Sequence, residues 1–276
     1  MQLNKRPIGI FDSGIGGLTV YSAIRQRFAD EDVIYFGDTA RVPYGPKSKS
    51  AVIEYSIQNS RFLASAHAKL IVVACNTSSA VSLDRLRELF EIPIIGVLEP
   101  GAQEAVRVSR NGRIGIIGTE GTINSQAYPR EIKKIDPSIT TFSTPCPLFV
   151  PIVEEGWEGH PVAKTIAEEY LKPLIANKID TLVLGCTHYP ILKNVIQEVV
   201  GPEVVLINSA DVVSKYLDNY LSPASLETSN SLTANADRDQ FFVSDNEEKF
   251  REIASRILNR NVDRIVKVKL AESWFV

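Results

Sequence analysis

Short, unbroken apolar runs punctuate this chain, with longer segments of helical spacing between them. "IGIFDS" and "VIYFGD" come first, followed by "LIVVACN", "PIIGV", "RIGIIGT", "TLVLGCT" and "VVLINSA". Runs of Val, Ile and Leu without polar alternation mark strands buried on both faces, as in parallel sheets covered by helices. Ser50 to Ala66 and Val162 to Ile175 carry helical spacing, and "TSSAVSLDRLREL" reads as a helix opening just after Asn76. Strand–helix alternation predicts an α/β fold.

The pattern also echoes itself. "IGIFDSGIGG" at Ile8 is matched by "IGIIGTEGTI" at Ile114, and "LIVVACNTSS" with Cys75 by "LVLGCTHYP" with Cys186. Ile8 to Cys75 spans 67 positions and Ile114 to Cys186 spans 72. Each half opens on an Ile-Gly-Ile strand with a glycine turn and later ends an apolar strand on cysteine. Two related α/β domains are expected: residues 1–98 with 210–276, carrying Cys75, and residues 99–209, carrying Cys186. A pseudo-twofold arrangement of mostly parallel sheets would put an active site in the cleft between them. In the tail, "SPASLETSNSLTANADRD" reads as a loop. "SDNEEKFREIASRIL" reads as a helix capped by Asp245 with Glu248 three residues on, and "RIVKVKL" as a last strand. The tail is too short for a third domain and should pack back onto the first half.

Composition narrows the class. The chain has 276 residues, 44% of them hydrophobic and 23% charged, as in a soluble globular protein. A net charge of -3 gives no reason to expect nucleic-acid binding. No secretion signal or membrane-length apolar run is present, so a cytoplasmic location is expected. Three cysteines in a reducing compartment argue against disulfides. The spacing of Cys and His offers no zinc motif, so no metal is expected.

Ligands of open α/β sheets bind at the carboxyl ends of the strands. Asp12-Ser13, Cys75-Asn76-Thr77, Thr119 and Cys186-Thr187-His188 all fall there. The free amides at the start of the helix after Asn76, with the Thr77 and Ser78 hydroxyls, suit a carboxylate or phosphate. Asn76 and Thr77 read equally well as simple helix caps. The same helix start is expected to help ionise Cys75. "DSGIGG" lacks the third glycine of a dinucleotide loop and there is no Walker lysine, so a tight turn approaching a small ligand is the better reading. Two thiols facing each other across a small substrate could remove a proton from one face of a carbon and return one to the other. His188 and Asp12 are the neighbours expected to tune them.

At these residues the chain resembles the glutamate racemase family, of the cofactor-independent aspartate/glutamate racemase superfamily. The anchors are "GIFDSGIGGLTV", "YFGDTARVPYG", "VVACNTSSA", "TPCPLFVPIVEEG" and "LVLGCTHYP", spread over nearly the whole chain. Residues Leu226 to Asp237 are less family-like. The resemblance implies reversible conversion of L- to D-glutamate for peptidoglycan synthesis, without pyridoxal phosphate or metal. It matches Cys75 and Cys186 to the catalytic thiols, Cys75 taking the proton from D-glutamate and Cys186 from L-glutamate. Asp12, Ser13, Tyr44, Gly45, Asn76, Thr77, Thr187 and His188 match substrate-contact positions, with Thr119 as an addition. Glu154 and His188 resemble groups that assist proton movement at Cys186, and Asp12 those at Cys75. Glu154 with Glu155 reads equally as a solvated edge. Asp38 reads equally as a loop-structuring carboxylate, Cys146 as packing, and His67 as structural.

A small-molecule substrate is therefore expected, and the resemblance leaves room for a homodimer. The N-terminus lacks an extension like the activator-binding segment of some family members, so regulation by a cell-wall precursor is not expected. An aspartate or other amino-acid racemase and a non-catalytic amino-acid binding module remain open alternatives. The histidine directly after threonine in "GCTHYP" looks like the glutamate branch, and a binding module has no need of a thiol pair.

Overall fold

The computed structural model describes residues 6–221 and 238–270. Ten strands form two all-parallel sheets among the described residues. Strands β1 (Ile8–Asp12), β2 (Val33–Gly37), β3 (Leu70–Val73) and β4 (Ile94–Gly96) belong to the first. Strands β5 (Arg113–Gly118), β6 (Thr140–Pro145), β7 (Thr181–Gly185) and β8 (Val205–Asn208) form the second. β9 (Gln240–Val243) and β10 (Ile265–Lys267) extend the first sheet, giving the order β10-β9-β2-β1-β3-β4. The second sheet runs β6-β5-β7-β8. The first four strands of each sheet thus repeat one winding, as the sequence echo anticipates.

That winding positions the site. In each sheet the chain leaves the first strand in one direction and returns on its other side with the third. The gap between their carboxyl ends is a topological switch point, where loops splay apart and leave a crevice. β1 and β3 flank one such point and β5 and β7 the other, with registers Phe11↔Val73 and Ile117↔Leu184.

Both sheets are covered on two faces. Helices α1 (Leu18–Arg27), α10 (Ser209–Tyr216) and α11 (Glu247–Leu258) enclose one core of the first sheet, and α2 (Lys49–Ser65) and α3 (Asn76–Leu89) the other. Helices α4 (Leu98–Val108) and α6 (Ala127–Ile135) cover one face of the second sheet; α5 (Glu120–Asn124) follows β5. Helices α7 (Phe149–Glu154), α8 (Pro161–Ala176) and α9 (Lys193–Val200) cover its other face. None of the described helices is long and apolar enough to cross a membrane.

The tail packs onto the first half as expected. Buried Arg25 of α1 holds Asp239, just before β9, with Nε–Oδ2 at 2.9 Å. Two strands carry no clear signature in the sequence. β6 is half-exposed and polar, because it is an edge strand. β9 directly follows residues read as loop; of that loop, Ser222 to Asp237 lie outside the described residues. The expected cap of α11 also needs correction. Asn246, in the left-handed region that asparagine tolerates, accepts the Lys249 N–H at 3.1 Å, while Asp245 pairs with Lys267 of β10. His67 lies beyond the end of α2 with φ 62°, exposed and away from the site.

Candidate active site

Each half presents a cysteine immediately beyond its third strand. Cys75 ends the segment after β3 and stands at the N-cap of α3; Cys186 follows β7. Both line one small cavity of about 30 Å³ between the sheets. Ser13, Tyr44, Gly45, Asn76, Thr77, Thr119, Thr187 and His188, all singled out in the sequence, also line it. Val42, Pro43, Val150 and Gly185 complete the wall. Val42, in a loop, and Val150, on α7, were missed because a valine carries no chemical signal.

The first half disfavours ionisation of its thiol. The Cys75 Sγ donates to Ser13 Oγ at 3.6 Å. Burial, together with the nearby Asp12 carboxylate, pushes the thiol up to about 12, although the Ser78 N–H of the helix start favours the thiolate. The helix start acts on Cys75 in the expected direction, but desolvation by burial outweighs it. Asn76 and Thr77 do not cap α3. Asn76 Oδ1 accepts the Tyr128 hydroxyl at 2.7 Å, and its buried Nδ2 has no partner. Thr77 Oγ1 lies 2.8 Å from Thr119 Oγ1, so the two halves meet through paired hydroxyls.

The second half builds a chain of polar groups. Cys186 Sγ lies 3.8 Å from His188 Nδ1, and His188 Nε2 lies 3.3 Å from Glu154 Oε1 at the end of α7. Burial works against a charged His188, but the Cys186 thiol, Glu154 and Asp12 outweigh it and raise the imidazole to about 10. The His188 hydrogen bond in turn holds Glu154 below its ordinary value despite partial burial. Of the two acids, Glu155 is the solvated one.

Asp12 sits at the carboxyl end of β1, fully buried. Its Oδ2 accepts the Gly14 N–H at 2.9 Å and its Oδ1 the Thr187 hydroxyl at 3.3 Å. Burial raises its pKa, with His188 and the Gly14 and Gly17 amides pulling the other way. It reaches Cys75 through its field; Ser13 makes the hydrogen bond. Tyr44 has committed its hydroxyl to Asp38 and accepts from Asn59 Nδ2 at 3.1 Å. Asp38 also takes Arg41 Nε at 2.7 Å and the Ser244 hydroxyl at 2.9 Å, which is a loop-structuring role. Cys146 is fully buried in the second-half core, as packing requires.

The glycine turn after Asp12 serves a purpose the sequence did not show. A Cβ on Gly16 would lie 2.4 Å from Thr187 Oγ1 and 2.5 Å from His188 Nδ1. This turn of the first half is pressed against the Cys186–His188 loop of the second, so glycine is needed for contact between the halves rather than with a ligand alone.

Comparison with known proteins agrees with this geometry. The model of the Asp/Glu/hydantoin racemase family matches residues 8–217. The chain belongs to that family. A glutamate racemase of Geobacter metallireducens is 47% identical over 265 residues, covering 96% of this chain and 97% of the relative. Among solved structures, a glutamate racemase isoform of Bacillus anthracis matches with a TM-score of 0.88 and 36% identity, over 97% of this chain and 98% of that one. A glutamate racemase of Francisella tularensis, solved in complex with D-glutamate, matches with a TM-score of 0.86 and 37% identity, over 98% of this chain and 99% of that one. Membership of this family makes the protein an isomerase, a racemase on the α/β scaffold described.

Proposed function

We propose that this protein interconverts L- and D-glutamate with two thiols, supplying D-glutamate for peptidoglycan in the cytoplasm. The observation that carries the reading is that Cys75 and Cys186, equivalent by strand order, line one cavity. A thiolate on one face of the substrate takes the Cα proton and leaves the electron pair on Cα. The opposite thiol delivers its proton to the other face of that carbon, inverting it. Burial favours the protonated thiol at Cys75, and the partners of His188 favour its charged form beside Cys186. In the reverse direction Cys75 takes the proton from D-glutamate with Asp12 as its assisting neighbour, while the His188–Glu154 pair assists Cys186.

The substrate's carboxylates find donors in the unpartnered Asn76 Nδ2, the Ser13 hydroxyl and the first amides of α3. Residues 1–98 with 210–276 and residues 99–209 serve as the two walls. Both proton carriers come from the chain, and no cofactor is named.

Purified protein incubated with L-glutamate should lose its circular dichroism signal toward zero as the racemate forms, with L-aspartate as the parallel control. A stable signal with L-glutamate would remove the reading. The same assay after dialysis against a chelator should give full activity, with no pyridoxal phosphate absorbance. Activity restored only by metal or pyridoxal phosphate would show that the thiols are not sufficient.

The protonation of Cys75 is open to direct titration. In a Cys186→Ser background, ultraviolet thiolate absorbance is taken relative to the Cys75→Ser/Cys186→Ser double variant. Because burial raises Cys75, no thiolate should form at the ordinary value of about 8.5, and the rise should come only well above it. A midpoint at the ordinary value would mean that burial and Asp12 do not govern this thiol.

A further inference from the structure

Helix α7 is six residues long, and Glu154 is its last residue. So short a helix has little stability of its own, and its final turn is held by what it touches. Phe149, Ile152 and Val153 bury one side in the second-half core. The carbonyl end is held from the other half. Arg256 Nη2, on α11, donates to the Val153 carbonyl and, at 3.0 Å, to the Glu154 carbonyl. A guanidinium is well suited to the negative end of a helix. Lys249, seven residues earlier on α11, places its Nζ 3.7 Å from Glu154 Oε2.

The turn after α7 is shaped for this contact. Gly156 has φ 73°, and a Cβ there would lie 2.8 Å from Arg256 Nη1. The glycine of "VEEGW" therefore serves both the left-handed turn and the close approach of the arginine. At its own end, α11 is fixed to the first sheet by buried Phe250, Ile253, Ala254 and Leu258.

We infer that Arg256 is a positioning residue: from the half that carries Cys75, it sets Glu154 against His188 and so governs proton transfer at Cys186. The inference rests on the two-thiol reading, and it assigns a reaction role to a helix whose sequence carries none of the family motifs.

The test uses glutamate analogues with a leaving group on Cβ, in separate L- and D-forms. Once a thiolate takes the Cα proton, that electron pair forms the Cα–Cβ double bond and the leaving group departs with its own pair. Each enantiomer therefore reports one thiol. Arg256→Ala should slow elimination from the L-form on the order of tenfold, part of the 10²–10⁴ a positioned acid–base group contributes. Elimination from the D-form should stay within about twofold, which also shows that the variant folds. In a Glu154→Gln background the same substitution should add nothing further on the L-form, because the group it positions is gone. Equal slowing of both enantiomers, no slowing of either, or an undiminished effect in the Glu154→Gln background would each overturn the inference. None of these results would disturb the two-thiol reading, which is tested separately by the cysteine variants.

Discussion

Serine at position 75 is expected to lower racemisation by orders of magnitude while sparing elimination from the L-form of a Cβ leaving-group analogue. Serine at position 186 should have the opposite selectivity, sparing the D-form. The hydroxyl of serine is a far weaker acid than a thiol, so the base role is lost almost completely. Racemisation needs an acid and a base in one turnover, so either loss disables it, and the effects of the two changes will not add. Elimination needs only the base, which lets each face be read alone. Racemisation kinetics cannot do this. The equilibrium constant between enantiomers is unity, so any variant must change kcat/KM equally in both directions. If both cysteine variants lose both enantiomers alike, or neither loses either, the assignment of one thiol to each face is wrong.

Alanine at position 16 should be nearly as damaging, although it adds a single methyl group. That methyl would overlap Thr187 Oγ1 and His188 Nδ1, both on buried side chains of the opposite half. Relief requires the DSGIGG turn to retreat from the Cys186–His188 loop or His188 to rotate away from Cys186 and Glu154. A shift on the order of 1 Å in such a constellation costs about 10²-fold in rate. The fold should survive, since the clash is confined to the contact between the two halves. Racemisation by circular dichroism and a thermal melt separate the outcomes: a near-native melt with about 10²-fold lower activity is expected. Near-native activity would show that the halves do not meet here as tightly as described.

Most of the strands were legible because their burial on both faces leaves an unbroken apolar run, a property of short local segments. The two halves were legible because each repeats the same strand, glycine turn and cysteine in the same order. β6 was not legible, since an edge strand loses the burial that writes the pattern. The chemical types at the site were legible too. Thiols, hydroxyls and a histidine at strand ends stand out against apolar neighbours, and their motifs resemble one family.

Only the tertiary structure could decide the state of those groups. Whether Cys75 is ionised depends on a balance between the α3 amides, which the sequence locates, and enclosure with Asp12, which it does not. Glu154 and Asp38 were even choices between solvent, structure and catalysis. The fold sends one to His188 and the other to Arg41, Tyr44 and Ser244. The partners of Gly16 and Arg256 lie 171 or 172 and 102 or 103 positions away along the chain. Sequence periodicity records which residues turn inward within one element. Contacts between elements so far apart follow only from how two completed sheets pack, and there the chain's local pattern carries no signal.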